Sequence, residues 1–488
     1  MIYKSKPCII SNINIQDIDN DKVTQRMANL IIWNSSLGPY LHHRTLGPYQ
    51  LASWIRSHGY TVKVIEFSNE MPIDTLVKIT ERYIDADTLM IGVSSSFWEF
   101  PTQIQSNWQF TFPEWVQSAR TALSATYPDI KWAVGGSRTY MCNIAGWERF
   151  DGAAENPVLA RLDDLSKKLV TRPVFDIHDA CNLYVNDDCI TPNEVLPIEL
   201  GRGCMFKCKF CSFKNIGKKI GTYTKSEECI RREILDHHTR WGTTRFFYVD
   251  ETVNESVEKV RMLANIAESV PFKLEWFGYI RADLVWAFPE TEELLERSGL
   301  RSAFFGIESF EPASAKLIGK GWSGKHAKDW LIGMRKKWDH KISWRFGMLI
   351  GVTGQTKQQL LDDANWLIDN DMHSWWFNHL WIERNHYDSE FSKNSQKYGY
   401  EFPDETKPYW WINRQNGWDF SSAANAAAEL NEKSKTNWRY CAFDLGGLLS
   451  LGYDIDEVIW KHRSELDHND MLDRKHKMVN SYIERNLT

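Results

Sequence analysis

The chain has 488 residues, enough for two or three domains with full cores. Its 58 Lys and Arg against 64 Asp and Glu leave a net charge of −6, which gives no global electrostatic case for nucleic acid and leaves only a local basic patch to weigh. No apolar run approaches membrane-spanning length, and the stretch from Met1 to Pro7 lacks the apolar core of a signal peptide, so a cytoplasmic protein is expected.

Nine cysteines with three in one short motif argue for a reducing compartment and against a disulfide framework. The other six (Cys8, Cys142, Cys181, Cys189, Cys229 and Cys441) are scattered and show no paired spacing. The 23 tryptophans recur throughout the chain and mark no single site.

Residues 1 to about 170 alternate short apolar runs with amphipathic segments. Leu30–Trp33, Val62–Ile65, Leu89–Val93 and Trp132–Val134 read as strands; Pro48–His58, Pro72–Tyr83 and Pro113–Tyr127 read as helices. This alternation predicts a doubly wound parallel sheet, whose ligands sit at the carboxyl ends of the strands. Those ends carry Asn34-Ser35-Ser36, Ser94-Ser95-Ser96 and Gly135-Gly136-Ser137, all small enough for a ligand to approach the backbone. Residues 171–195 have no clear period and contain two prolines, which predicts a linker with room for a hairpin.

From Leu196 the alternation resumes in longer units. Strands are predicted at 196–200, 245–249, 273–279, 301–307, 342–350 and 375–382, with helices at 225–240, 256–269, 289–298, 323–338 and 357–370. Six such units in order predict a parallel barrel or part of one, with reactive groups at the strand carboxyl ends. The first strand runs into Leu200-Gly201-Arg202-Gly203-Cys204-Met205-Phe206-Lys207-Cys208-Lys209-Phe210-Cys211, a C-x3-C-x2-C array. Thiolates select iron–sulfur clusters or zinc. A four-iron cluster takes four cysteines, so three would leave one iron open. A zinc site usually needs a fourth Cys or His close by, and the nearest later ones, Cys229 and His237, fall in a helical stretch. Gly201 and Gly203 allow a tight turn that brings amide groups toward the sulfurs.

This array resembles the radical S-adenosylmethionine (radical SAM) superfamily, with Phe210 in its aromatic slot. The resemblance covers Leu196 to about Arg384 and implies a six-unit partial barrel. It also implies a 4Fe-4S cluster on Cys204, Cys208 and Cys211, with SAM chelating the open iron and being split to a 5'-deoxyadenosyl radical. It assigns further SAM contacts at strand ends. Asp250 and Glu251 would face the SAM amino group, Arg281 its carboxylate, and Glu308 and Ser309 its ribose or methionine. Gly351 and Val352, in a turn where Gln355 replaces the family's Glu, would offer backbone groups to adenine. Each charged residue alone reads equally as a barrel-rim salt bridge. Lys207, Lys209, Lys214, Lys218 and Lys219 surround the cysteine loop, either for solubility or for docking a reducing donor such as flavodoxin or ferredoxin.

The front segment resembles the cobalamin-binding domain that precedes the barrel in one class of that superfamily. Leu46 to Ala52, Ser57 to Val62, Gly92-Val93-Ser94 and Val134-Gly135-Gly136 carry the likeness. Ser94, Gly135 and Gly136 are its predicted cobalamin contacts. The D-x-H-x-x-G motif is absent, so no protein histidine is expected on the cobalt, and His42 and His43 read as surface residues. Asp151 to Asn156 matches the closing strand of that domain only loosely.

Gly319 to His326 nearly fits a phosphate-binding loop, but His326 replaces the needed hydroxyl and no strand precedes it. Beyond Arg384 lies a Trp-rich, mostly helical extension, with an alanine-rich helix at Ser422–Leu430 and a charged end from Asp454 to Asn486. It reads as a packed extension closing the barrel or as a substrate-selective cap. The resemblance implies methylation of an unactivated carbon or phosphorus centre of an unidentified substrate. The alternatives are a non-methylating radical oxidation, rearrangement or C–C bond formation, and a non-catalytic metal-binding module.

Overall fold

The computed structural model describes residues 27–488 apart from Pro39, 97–111, 137–138, 140–144, Asp151, 214–215, 220–222, Ser323, His373, 383–388, Thr406, Pro408 and 435–438. The stretch from Met1 to Pro7, Cys8, Cys142, Ser137, Lys214 and the expected boundary at Arg384 lie outside the described residues.

The first sheet has five parallel strands: β1 (Leu30–Trp33), β2 (Val62–Ile65), β3 (Met90–Ser94), β4 (Lys131–Gly135) and β5 (Glu148–Phe150), in the order β2-β1-β3-β4-β5. β1, β2 and β3 are mainly apolar runs buried on both faces, as a covered parallel sheet requires. Helices α1 (Leu46–Ser57), α2 (Ile73–Glu81), α3 (Glu114–Thr126) and α4 (Glu155–Leu165) cover it. Alternate strand residues divide between two cores. Leu30, Ile32, Val64 and Met90 pack with Ile55 of α1 and Leu162 of α4. Ile31, Trp33, Ile91 and Val93 pack with Leu76 of α2 and Val116 of α3. β1 is flanked by β2 and β3, so the strand order reverses there and opens a crevice at the carboxyl ends.

A second sheet has six parallel strands: β6 (Leu196–Ile198), β7 (Arg245–Tyr248), β8 (Glu275–Ile280), β9 (Leu300–Glu308), β10 (Ser343–Ile350) and β11 (Trp375–His379). They lie side by side in chain order. The helices between and after them are α5 (Glu227–Trp241), α6 (Val257–Ser269), α7 (Ala282–Ala287), α8 (Glu290–Arg297), α9 (Pro312–Ile318), α10 (Gly324–Trp338), α11 (Lys357–Asp369) and α12 (Glu390–Lys393). Good caps start several of them: Ser226 and Ser256 each accept a backbone N–H, and Thr356 with Gln359 forms a capping box. The linker holds a short helical turn at Asn186–Asp188 and, among the described residues, no hairpin.

The extension consists of β12 (Tyr400–Glu401), β13 (Ile412–Asn413), α13 (Phe420–Ser434), α14 (Ala442–Ser450), α15 (Ile455–Val458) and α16 (His468–Leu487). It packs on both ends of the barrel strands. At their carboxyl ends Tyr400 donates to Gly351 O (2.8 Å) and Trp411 Nε1 to Leu380 O (2.9 Å). At their amino ends α14 lies against β7–β10; Ser302 Oγ accepts from Ala442 N, and Arg345 pairs with Asp444.

His42 and His43 are not surface residues; both are buried where the first sheet, the linker and the extension meet. His42 Nε2 lies 2.9 Å from Glu194, which also pairs with Arg44 at 2.6 Å. His43 contacts the Phe443 carbonyl and sits against Gly446 and Gly447, where a Cβ at Gly447 would fall 2.8 Å from its Nε2. Sequence context could not reveal this, because the covering elements are some 400 residues away. Burial pushes the His43 pKa down to about 3, and the neighbouring His42 adds to the effect. The unfolded chain therefore takes up a proton that the folded chain refuses. That contribution to stability is whole above pH 6.5 and is lost as pH falls from 6.5 toward 3, by up to about 1.4 kcal/mol per pH unit. Denaturant titrations across that window are expected to show a shallower acid loss for His43→Gln than for the parent. Glu66, raised to about 7 by burial, acts in the opposite sense in both proteins and cancels in the comparison.

Candidate active site between the two sheets

One cavity of about 1260 Å³ lies between the two sheets, running along one face of the first and meeting the carboxyl ends of the barrel strands. Its first wall comes from Leu30, Ile32 and Met90 together with Gly92, Ser94 and Gly135 of the first sheet. Its second comes from Gly203, Phe210 and Cys211 of the cysteine loop with Glu251, Glu308 and His379 of the barrel. Arg202, just before the first thiol, ties the walls together. It pairs with Glu155 of α4 at 2.7 Å and with Glu199 at 2.8 Å.

The cysteine loop is folded tightly on itself. Gly201 is bridged to Thr224, and a Cβ there would fall 2.9 Å from Tyr223 O. Gly217 N donates to Phe206 O, Lys218 N to Cys204 O, and Cys211 N to Cys208 O, each at 3.0 Å. Two barrel strands reach the thiols: Thr252 lies 3.7 Å from Cys204 Sγ, and Arg281 Nη1 lies 3.3 Å from Cys208 Sγ. Burial raises the Cys204 thiol and pushes the Cys211 thiol up to about 11, with the charges of neighbouring cysteines adding to both. Among the described residues these thiols do not form a set with all ligand atoms within 4.8 Å of one another, as a single ion would need.

The strand-end residues fall into two sets. Glu251 and Glu308 open onto the cavity, and burial raises both carboxyls, Asp250 adding to the first while Lys320 opposes the second. Glu308 has a left-handed backbone (φ 69°), and the β9–β10 register skips Ile307. Such a bulge re-aims a side chain. Gly306 leaves space for the re-aimed carboxylate, since a Cβ there would fall 2.4 Å from Glu308 Oε1. Lys320, from the rejected phosphate-loop motif, serves this strand end instead: it donates to Gly306 O at 2.7 Å and lies 3.6 Å from Glu308.

The other assigned residues are engaged within the protein. Asp250 borders the cavity, but it accepts from Leu200 N (2.7 Å) and Lys259 Nζ (3.0 Å). Arg281 is clamped by Asp283 (2.9 and 2.6 Å) and lies over the Phe206 ring, so it braces the cysteine loop. Ser309 Oγ accepts from Gln355 Nε2. Gly351 and Val352 do not present free amides, contrary to expectation. Both N–H groups donate to Gln355 Oε1 (3.1 and 3.0 Å), and their carbonyls accept from Tyr400 and Asn416. Gln355 Nε2 also donates to Leu349 O, a bond that an ionised Glu could not make. Gln355→Glu is therefore expected to lower stability by about 1–3 kcal/mol, measurable by denaturant titration.

Sequence reading missed Arg202, Thr252 and the end of the sixth strand. There Asn378, His379 and Trp381 reach the cavity, and Trp381 stacks on Tyr409 with centroids 5.1 Å apart. Their position in the carboxyl half of the last predicted barrel strand was the available signal. Gln50 of α1 was also missed; it is buried at the first wall, and its Oε1 has no partner.

The radical SAM superfamily profile matches residues 198–367. A stretch of 161 residues is 24% identical to an uncharacterized methyltransferase of Pyrococcus horikoshii, covering 33% of either chain. Another of 181 residues is 22% identical to the bacteriochlorophyllide d C-12(1)-methyltransferase of Chlorobaculum tepidum, covering 36% of this chain and 38% of that one. The matches thus span about a third of these curated relatives. Among solved structures, the radical S-adenosylmethionine methyltransferase TsrM from Kitasatospora setae, with cobalamin and a [4Fe-4S] cluster bound, superposes with TM-score 0.59 at 12% identity, over 94% of this chain and 100% of that one. The cobalamin-dependent S-adenosylmethionine radical enzyme OxsB, with aqua-cobalamin bound, gives 0.55 at 14% identity, over 85% of this chain and 58% of that one. Residues 198–367 thus carry the likeness to the radical SAM superfamily. The fold of the whole chain, front sheet included, is similar to that of TsrM and OxsB.

Proposed function

We propose that this protein is a cobalamin-dependent radical SAM methyltransferase acting on an unactivated carbon or phosphorus centre. The observation that carries this reading is a cavity shared by both sheets, bordered by a cluster-type thiol on one side and glycines of the first sheet on the other. Both walls fit their groups. The three thiols are buried or half-buried on a loop held by backbone bonds, and the first wall offers Gly92 and Gly135 for close approach and the unpartnered Oε1 of Gln50 for a polar substituent. When bound, the cluster supplies the electron that splits SAM, and cobalamin carries the methyl group.

The chain's own residues divide the remaining work. Cys204, Cys208 and Cys211 hold the cluster, and Arg281 steadies the loop through Cys208 and Phe206. Glu251 and Glu308 offer acceptors to the SAM ammonium. Leu30, Ile32 and Met90 keep water from the first wall. Lys207, Lys218 and Lys219 are exposed beside the cysteine loop and suit an acidic electron donor such as flavodoxin or ferredoxin.

Losing a charge-assisted contact costs about 1.5–3 kcal/mol, so Glu308→Gln is expected to weaken SAM binding roughly ten- to a hundredfold with iron content unchanged. Arg281→Ala is expected to lower iron content as well. Equilibrium SAM binding and iron analysis on reconstituted protein measure both; unchanged SAM affinity in Glu308→Gln would make Glu308 a rim residue.

A further inference from the structure

Cys181, Cys229 and Glu233 form a buried group away from the main cavity, with two sulfurs and a carboxylate oxygen all within 4.8 Å of one another. Cys181 belongs to the linker; Cys229 and Glu233 lie one turn apart on α5. The structure joins the sulfurs as a disulfide across 48 residues of sequence, which corrects the expectation that these cysteines are unpaired. The surroundings nevertheless suit charged sulfur. Arg232 points Nε (3.2 Å) and Nη2 (2.6 Å) at Cys181 Sγ. Guanidinium donors match a thiolate, whereas neutral sulfur is a weak acceptor. Glu233 is fully buried; Oε1 accepts from Lys225 Nζ and Asn182 N, but Oε2 has no partner. Asn182 is also buried with neither side-chain amide atom partnered. Buried polar atoms are normally partnered, so those gathered beside the two cysteines are placed to take a further bond.

We propose that the reduced Cys181–Cys229 pair and Glu233 bind a zinc ion. Thiolates select soft cations, and a carboxylate oxygen is a regular zinc ligand; Oε2 is the free atom able to take that bond. A water-soluble phosphine opens the disulfide: it is oxidised to phosphine oxide, and water supplies the oxygen and the two thiol protons. Zinc then displaces both protons as the two S–Zn bonds form. Cys181 O accepts from Ser53 Oγ of α1 at 3.1 Å, so the ion would pin the linker and α5 beside the first sheet's helix, behind the main cavity.

The test uses the full chain with its cluster reconstituted, so that Cys204, Cys208 and Cys211 are occupied. The protein is reduced with phosphine, given zinc, gel-filtered and submitted to elemental analysis. About one zinc per chain is expected in the parent and in Cys441→Ser, and none in Cys181→Ser or Cys229→Ser. Glu233→Gln is expected to hold zinc at least tenfold more weakly. Should a cysteine variant fail to fold, cobalt(II) added to the reduced parent gives an independent reading through sulfur-to-cobalt charge-transfer absorption. A reduced parent that retains no zinc and shows no such absorption would overturn the proposal and leave the pair as a disulfide alone.

Discussion

Replacing Cys204, Cys208 and Cys211 together with Ala is expected to remove about four irons per chain and all reductive SAM cleavage. The thiols come from one loop, but barrel strands hold two of them in place, through Thr252 at Cys204 and Arg281 at Cys208. Among the described residues, no cysteine outside this loop lines the cavity. Of the other described cysteines, Cys181 and Cys229 are joined to each other, and Cys441 is buried at the amino end of α14. Cys189 lies in the linker beside Asn486 of α16. Iron analysis and 5'-deoxyadenosine release after anaerobic reconstitution measure the effect. Retention of about four irons by the triple variant would mean that the cluster has other ligands.

Filling the first wall is expected to abolish corrinoid binding while leaving iron intact. Gly135 is the better position because the strand tolerates a side chain there. A Cβ would lie 3.5 Å from Phe150 O, an ordinary contact. The rest of a leucine would then extend into the cavity without breaking β4. Gly136 is a poorer choice, since its φ of +104° and the nearby Ser95 Oγ make any side chain strained. Ser94→Trp blocks the same crevice from β3. Both variants should keep their iron and their SAM affinity, because Cys211, Glu251 and Glu308 stand on the opposite wall. Corrinoid retention by both variants would place the cofactor elsewhere or remove it from the account.

The strands were legible because each is a short apolar run bounded by turns, and β1 and β2 occupy the residues that sequence reading assigned to them. β5 was not, since its three residues are half-buried and carry two charges. The cysteine motif was legible because its chemistry is local. The strand-end carboxylates were legible as positions but not as roles. Sequence cannot say that Asp250 is consumed by Leu200 N and Lys259 while Glu251 next to it faces the cavity. Nor can it pair Cys181 with Cys229, or bury His43 under α14, because those contacts join segments far apart in the chain. The Gly-Ile-Glu-Ser strand end acquires a physical meaning only with the bulge at Ile307, which turns Glu308 into space that Gly306 leaves open.

The most direct test is an anaerobic ultraviolet–visible spectrum of the full chain, made with cobalamin supplied, with iron and corrinoid measured on the same sample. Iron–sulfur and corrinoid absorption are expected together, at about four irons and about one corrinoid per chain. Protein that purifies without corrinoid, yet holds its iron and still cleaves SAM, would contradict the proposed function.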